Sequence, residues 1–65
     1  MVIFMKNIKK FRKEKDITQR KLAKLVNISP GYLSHLENGG RTNPSIAVIK
    51  RIADVLEKDI SDLFE

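Results

Sequence analysis

From Thr18 to Gly39 the chain reads TQRKLAKLVNISPGYLSHLENG, a stretch with two helix starts, two helix stops and a very short turn between them. Thr18 stands ahead of an apolar-periodic run, placed to accept a hydrogen bond from the N–H groups that the first turn of a helix leaves open. Leu22, Ala23, Leu25 and Val26 recur at helical spacing and predict the buried stripe of that helix. Asn27 follows, and asparagine enters the left-handed conformation more readily than other residues with a Cβ, so the helix is expected to stop there. Ser29 offers a second N-cap. Pro30 falls at the first helical position, where its missing N–H costs nothing and its fixed φ is already helical. Leu33 and Leu36 mark the inner face of the second helix, Gly31, Tyr32, Ser34 and His35 fall off it, and Asn38-Gly39-Gly40 ends it.

Length and composition bound what this pair of helices can serve. A chain of 65 residues is expected to form one domain, 1–65, and at this size only ~60% of the unfolded surface is buried, which leaves one core and no roomy catalytic cleft. That argues against an enzyme. There is no cysteine and a single histidine, so neither a disulfide scaffold nor a thiolate or histidine metal site is expected, and no cofactor is implied. The apolar run from Met1 to Met5 is too short to span a bilayer or to act as a signal sequence, so the expected setting is the cytoplasm, away from membranes. With 2 prolines, 3 glycines and neither repeat nor low-complexity tract, the composition suits a compact α-helical module.

The net charge of +5 is unevenly spread. Residues 6–15 hold Lys6, Lys9, Lys10, Arg12, Lys13 and Lys15 against Glu14 alone, and residues 16–28 add Arg20, Lys21 and Lys24 against Asp16. From Ile46 onward the sign reverses, with Lys50, Arg51 and Lys58 facing Asp54, Glu57, Asp59, Asp62 and Glu65. A polyanion would be steered to the basic end, with an affinity that falls as salt rises. A solvated helix face that keeps a small protein soluble explains the same run.

Two further regions read as helices. Phe4, Ile8 and Phe11 recur at i, i+4, i+7, predicting a first helix from about Ile3 or Met5 to Lys15, with Asp16 in the turn after it. Pro44 and Ser45 mark another start, and Ile46, Ile49, Ile52, Ala53 and Leu56 form a stripe ending near Glu57. Asp59 and Asp62 stand three apart, an acidic variant of a capping box for a last short helix that presents Ile60, Leu63 and Phe64. The same helix-end positions account for Glu14 and Asp16 without acid–base chemistry. The expected fold class is all-α, with five helices and no strand.

The pattern Ile17-Thr18-Gln19, Leu22-Ala23, Ile28-Ser29, Tyr32-Leu33, Leu36-Glu37-Asn38-Gly39 and Asn43-Pro44-Ser45 closely resembles the Cro and phage-repressor-like helix-turn-helix family, also called the xenobiotic-response-element family, from about Lys6 to Phe64. The resemblance implies a compact lambda-repressor-like DNA-binding domain with its helix-turn-helix proper at 18–39, on helices 2 and 3. It departs from the family at Asn27, where glycine is usual, and at Pro30 and Gly31, from which many relatives read bases with long polar side chains. Gln19 matches the family glutamine that binds a phosphate and braces the reading helix, with Arg20 beside it. The segment Ser29, Pro30, Gly31, Tyr32, Leu33, Ser34 and His35 matches the reading helix, whose first turn enters the major groove. Ser29, Tyr32 and His35 are the candidates for base or groove-edge contacts. Each has an ordinary alternative: an N-cap for Ser29, a ring over the core with its hydroxyl on a phosphate for Tyr32, plain exposure for His35. Asn38, Arg41, Thr42 and Asn43 match the family's phosphate-gripping loop, and otherwise serve as a helix C-cap and polar loop. Arg12 and Glu37 match a pair that forms a structural salt bridge between the first helix and the end of the reading helix.

One short reading helix makes few base contacts, each worth ~1–3 kcal/mol, so one copy discriminates weakly. Two copies on a two-fold axis, with reading helices about 34 Å apart, double the readout. A homodimer on double-stranded DNA is therefore expected, pairing through Val48, Val55 and Phe64, with Met1 to Phe4 as a possible addition; completing a small core is the alternative for these residues. Three function classes follow: a transcriptional regulator, most simply a repressor; the same fold as a restriction-modification controller or as an antitoxin with a protein partner; and a protein-interaction adaptor that no longer binds DNA.

Overall fold

The computed structural model describes residues 5–39 and 44–64, and among these the chain forms α1 (Asn7–Glu14), α2 (Gln19–Val26), α3 (Pro30–Glu37), α4 (Ile46–Leu56) and α5 (Ile60–Leu63), with no strand. Three hydroxyls start three of these helices. Thr18 Oγ1 accepts from the Lys21 N–H at 3.1 Å, Ser29 Oγ from Tyr32 at 3.1 Å and Ser45 Oγ from Val48 at 3.2 Å. Each bond satisfies a donor that a helix N-terminus leaves open, and each cap contributes about 1 kcal/mol. Asn27 adopts φ 64°, ψ 45°, and the Ile28 N–H folds back on the Ala23 carbonyl at 3.0 Å, so α2 ends in the left-handed turn that its asparagine tolerates. α5 is held at its start by the Asp62 carboxylate, which accepts the Asp59 N–H at 3.2 Å.

The core lies where the five inner faces meet. Met5 and Ile8, then Leu22, Ala23 and Val26, Leu33 and Leu36, Ile49, Ile52, Ala53 and Leu56, and finally Leu63 are buried. Phe11, Ile17, Ile28, Tyr32, Val48, Val55, Ile60 and Phe64 close it from the outside as half-buried side chains. α2 is tied to α4 by Arg51, whose Nε donates to the Val26 carbonyl at 3.0 Å and so satisfies an acceptor at the end of α2. α1 is tied to α5 by Asn7, which donates to the Asp62 carbonyl at 2.9 Å. Lys15 pairs with Glu57 across the outside, and the Lys58 ammonium sits 4.6 Å from the centre of the Phe11 ring.

The sequence pattern misplaces three features. α1 begins at Asn7, not at Ile3 or Met5; Met5 is buried ahead of the helix, and Met1 to Phe4 lie outside the described residues. Leu25, read as part of the buried stripe, is 48% exposed. The buried ridge of α2 runs through Leu22, Ala23 and Val26, and Leu25 falls on its flank. Ile46 is 63% exposed although it keeps the spacing of the α4 stripe. It is the first residue of α4, and side chains lean toward a helix's N-terminus, so Ile46 reaches past the end of the core.

Candidate nucleic-acid interface

A groove-reading helix must be short, polar outside, and held rigidly by the rest of the protein. α3 has 8 residues, and only Leu33, Leu36 and Glu37 among them are buried. Glu37 is the exception that the chemistry must explain, because an ionised carboxylate out of water needs partners. It has three donors. Arg12 reaches across from α1 as a fork, with Nε on Glu37 Oε2 at 2.9 Å and the second terminal nitrogen on Oε1 at 3.2 Å. Gln19 Nε2, from the first turn of α2, donates to the same Oε1 at 3.1 Å. The remaining terminal nitrogen of Arg12 donates to the Ile17 carbonyl at 2.9 Å, in the turn between α1 and α2. The planar guanidinium matches the carboxylate in both distance and direction, which a lysine cannot do. One buried network thus fixes the end of α3 to α1, to the α1–α2 turn and to the start of α2.

The outer side of α3 carries its small and polar residues. Pro30, Gly31 and His35 are exposed, as are Ser29 before the helix and Asn38 after it, while Tyr32 and Ser34 are half-buried. The Tyr32 ring packs against the core, as one of its two alternatives required. The Ser29 hydroxyl is engaged as the N-cap. Asn38 closes α3, donating through Nδ2 to Ser34 Oγ at 3.3 Å, and Gly39 follows with φ 74°. On α2, Arg20, Lys21 and Lys24 are exposed, and on α1 so are Lys9, Lys10 and Lys13. Gly40, Arg41, Thr42 and Asn43 lie outside the described residues. Among the described residues no cluster of three or more histidine, cysteine, aspartate or glutamate side chains could hold a metal ion, and no helix is long and apolar enough to cross a membrane.

Compared with known protein families, residues 8–63 match the family described as Helix-turn-helix. The chain belongs to the Cro/C1-type helix-turn-helix family. It is 36% identical over 58 residues to the HTH-type transcriptional regulator SlrR of Bacillus subtilis, and covers 89% of this chain but 38% of that protein. The figures for the regulator SinR of the same organism are 34% over 58 residues, 89% and 52%, so the chain spans about half or less of these relatives' length. Among solved structures, the crystal structure of SinR in complex with DNA superposes with a TM-score of 0.81 at 34% identity, covering 89% of this chain and 92% of that one. The restriction-modification controller protein C.AhdI from Aeromonas hydrophila has a TM-score of 0.81 at 28% identity, covering 94% and 91%. This is a family of transcription regulators, not a class of enzymes.

Within this helix-turn-helix, the structure brings Gln19, Arg12 and Glu37 into one network and sets Ser29, Pro30, Gly31, His35 and Asn38 on exposed surface. Val48, Val55 and Phe64 are only half-buried and pack against the core, so each serves the fold whatever else it does. Arg51 was not singled out from the sequence, although it secures the end of α2. Its charge blends into the mixed-sign α4, and only its tertiary partner, a backbone carbonyl, distinguishes it.

Proposed function

We propose that this chain is a sequence-specific DNA-binding regulator that sets the first turns of α3 into the major groove. In this reading Gln19 and Arg20 hold phosphates at the start of α2, and Asn38, Arg41, Thr42 and Asn43 hold them beyond α3. Ser29, Pro30, Gly31, Tyr32, Ser34 and His35 meet the groove. The carrying observation is the fork from Arg12 to the buried Glu37, braced by Gln19, which holds an outwardly polar helix in a fixed pose beside two lysine-bearing helices. Rigid placement of this kind suits readout of base edges, where a misplaced donor forfeits its bond. The likeness to SinR, crystallised with DNA, supports the same reading.

The regulator acts most simply as a cytoplasmic repressor, occupying an operator as a homodimer. Each copy offers one reading helix, α3, and successive major-groove faces lie ~34 Å apart, so in this reading one copy reads one half-site. The likeness to C.AhdI favours a second setting, control of a restriction-modification system, with the same DNA chemistry. An antitoxin paired with a protein partner is a third, and gene neighbourhood distinguishes them.

Selection of bound duplexes from a random DNA pool, followed by a salt titration on the winner, tests the proposal. A palindrome with half-sites one helical turn apart and a binding constant that falls linearly on a log–log salt plot is expected. No enrichment, with no binding even at low salt, overturns it in favour of an adaptor. Sedimentation showing only monomer, with and without operator, rejects the dimer.

A further inference from the structure

Glycine is kept at a position when φ must be positive, when a neighbour leaves no room for a Cβ, or when the bare backbone must come close to something else. Gly31 meets neither of the first two conditions. It is the second residue of α3, and among the described glycines only Gly39 has a positive φ. A Cβ built on Gly31 meets nothing within 4 Å. Glycine also weakens a helix relative to every residue except proline, so stability opposes it here.

The surroundings say where that bare spot lies. Helical spacing aligns Gly31 with Ser34, His35 and Asn38 on the side of α3 away from Leu33 and Leu36. Asn38 and Ser34 are bonded to each other at the far end of this line, and the near end carries neither a side chain at Gly31 nor an N–H at Pro30. We propose that Gly31 is a specificity-determining residue: its missing side chain lets the first turn of α3 seat against base edges in the major groove, deeply enough for Ser34 and His35 to reach theirs. Any side chain at this position holds the helix off by at least a methyl's thickness. The inference rests on the DNA-binding reading above.

The test uses the whole chain, a duplex selected by the wild type and an unrelated duplex of equal length. Gly31→Ala should raise the melting temperature, weaken binding to the selected duplex tenfold or more, and leave binding to the unrelated duplex within twofold. Gly31→Ser, a second small side chain, should lose affinity in the same way. If Gly31→Ala binds the selected duplex as the wild type does, or weakens both duplexes equally, the proposal is overturned while the DNA-binding reading stands. A lower melting temperature overturns it too, since the fold then needs the glycine. If the wild type selects no duplex at all, the DNA-binding reading itself fails, and the inference with it.

Discussion

Removing Arg12 should cost this protein a large share of its stability, and the reason is the carboxylate left behind. The Glu37 side chain is 1% exposed and that of Arg12 is 10% exposed. Arg12→Ala deletes both bonds of the fork, at 2.9 and 3.2 Å, and the 2.9 Å bond to the Ile17 carbonyl. Glu37 then retains the neutral amide of Gln19, with no charge to answer its own. Breaking a buried pair from one side costs about 3–5 kcal/mol, whereas a domain of 65 residues has a total of about 3–10 kcal/mol. In urea, with a slope near 1 kcal/mol/M for so small a protein, the midpoint should fall by about 3–5 M.

The companion variant isolates the cause. Arg12→Met with Glu37→Leu replaces the pair by apolar groups of similar length, and such replacements are often neutral or stabilising by about 1–4 kcal/mol. Denaturation followed by far-ultraviolet circular dichroism should therefore show the double variant recovering most of what Arg12→Ala loses. An unchanged midpoint for Arg12→Ala would refute the argument outright. A double variant as weak as the single would also refute it, because the loss would then come from the arginine stem's packing and not from an orphaned charge.

Three further outcomes are expected. Asp16 holds φ 57° on exposed surface, so Asp16→Gly should stabilise by up to about 1 kcal/mol and raise Tm; a lower Tm would show that the aspartate side chain has a partner worth more than the strain. The hydrogen bond from Lys15, and secondarily its charge, hold the Glu57 carboxyl below its ordinary value, so this pair's contribution is present above pH about 4.3 and disappears as pH falls through the folded-state value. Glu57→Gln should accordingly lose a little stability at neutral pH and low salt and none in acid or 1 M salt, and a difference that persists in acid rejects the pair as its source. In DNA binding, Gln19→Ala should weaken all sequences alike, whereas His35→Ala should alter preference at one base position by about 1–3 kcal/mol; wild-type behaviour in both would remove these residues from the interface.

How much of this was legible in the chain depends on whether a residue acts on its own neighbours or at a distance. Thr18, Ser29 and Ser45 could be read as caps because each bonds an N–H three residues ahead. Asn27 could be read as a stop because its side chain tolerates the conformation locally. Glu57 occupies the same left-handed region at φ 57° at the end of α4, and nothing about glutamate announces it. There the turn is imposed by the backbone, whose Lys58 N–H closes on the Ala53 carbonyl at 2.9 Å. The Arg12–Glu37 pair was expected from family resemblance, but a physical signal was present too: Arg12 follows Ile8 by four residues and so lies on the buried face of α1. A cation on an apolar stripe demands an acceptor, though the stripe alone does not say which. Leu25 and Ile46 failed for the converse reason, since periodicity gives a direction around the helix axis but not where the neighbouring helices end.

The division of chemistry between the helices also bears on why pairing is proposed. Lys9, Lys10 and Lys13 on α1 and Arg20, Lys21 and Lys24 on α2 are exposed, whereas the outer line of α3 offers Gly31, Ser34 and His35, with no lysine or arginine. In the proposed reading, phosphate attraction and base readout fall on different surfaces, and only the first weakens with salt through counterion release. If each copy makes two base contacts at ~1–3 kcal/mol, it discriminates by ~2–6 kcal/mol, while specific binders separate operator from other DNA by ~4–10 kcal/mol. Two copies, at ~4–12 kcal/mol, span that range, whereas one reaches only its lower part. Among the described residues Val48, Val55 and Phe64 pack partly against the core, while Leu25 and Ile46 are the exposed large apolar side chains. In the dimeric reading proposed above, two half-sites one turn apart would supply part of the association energy through phosphates and base edges, so sedimentation should show more dimer with operator than without it.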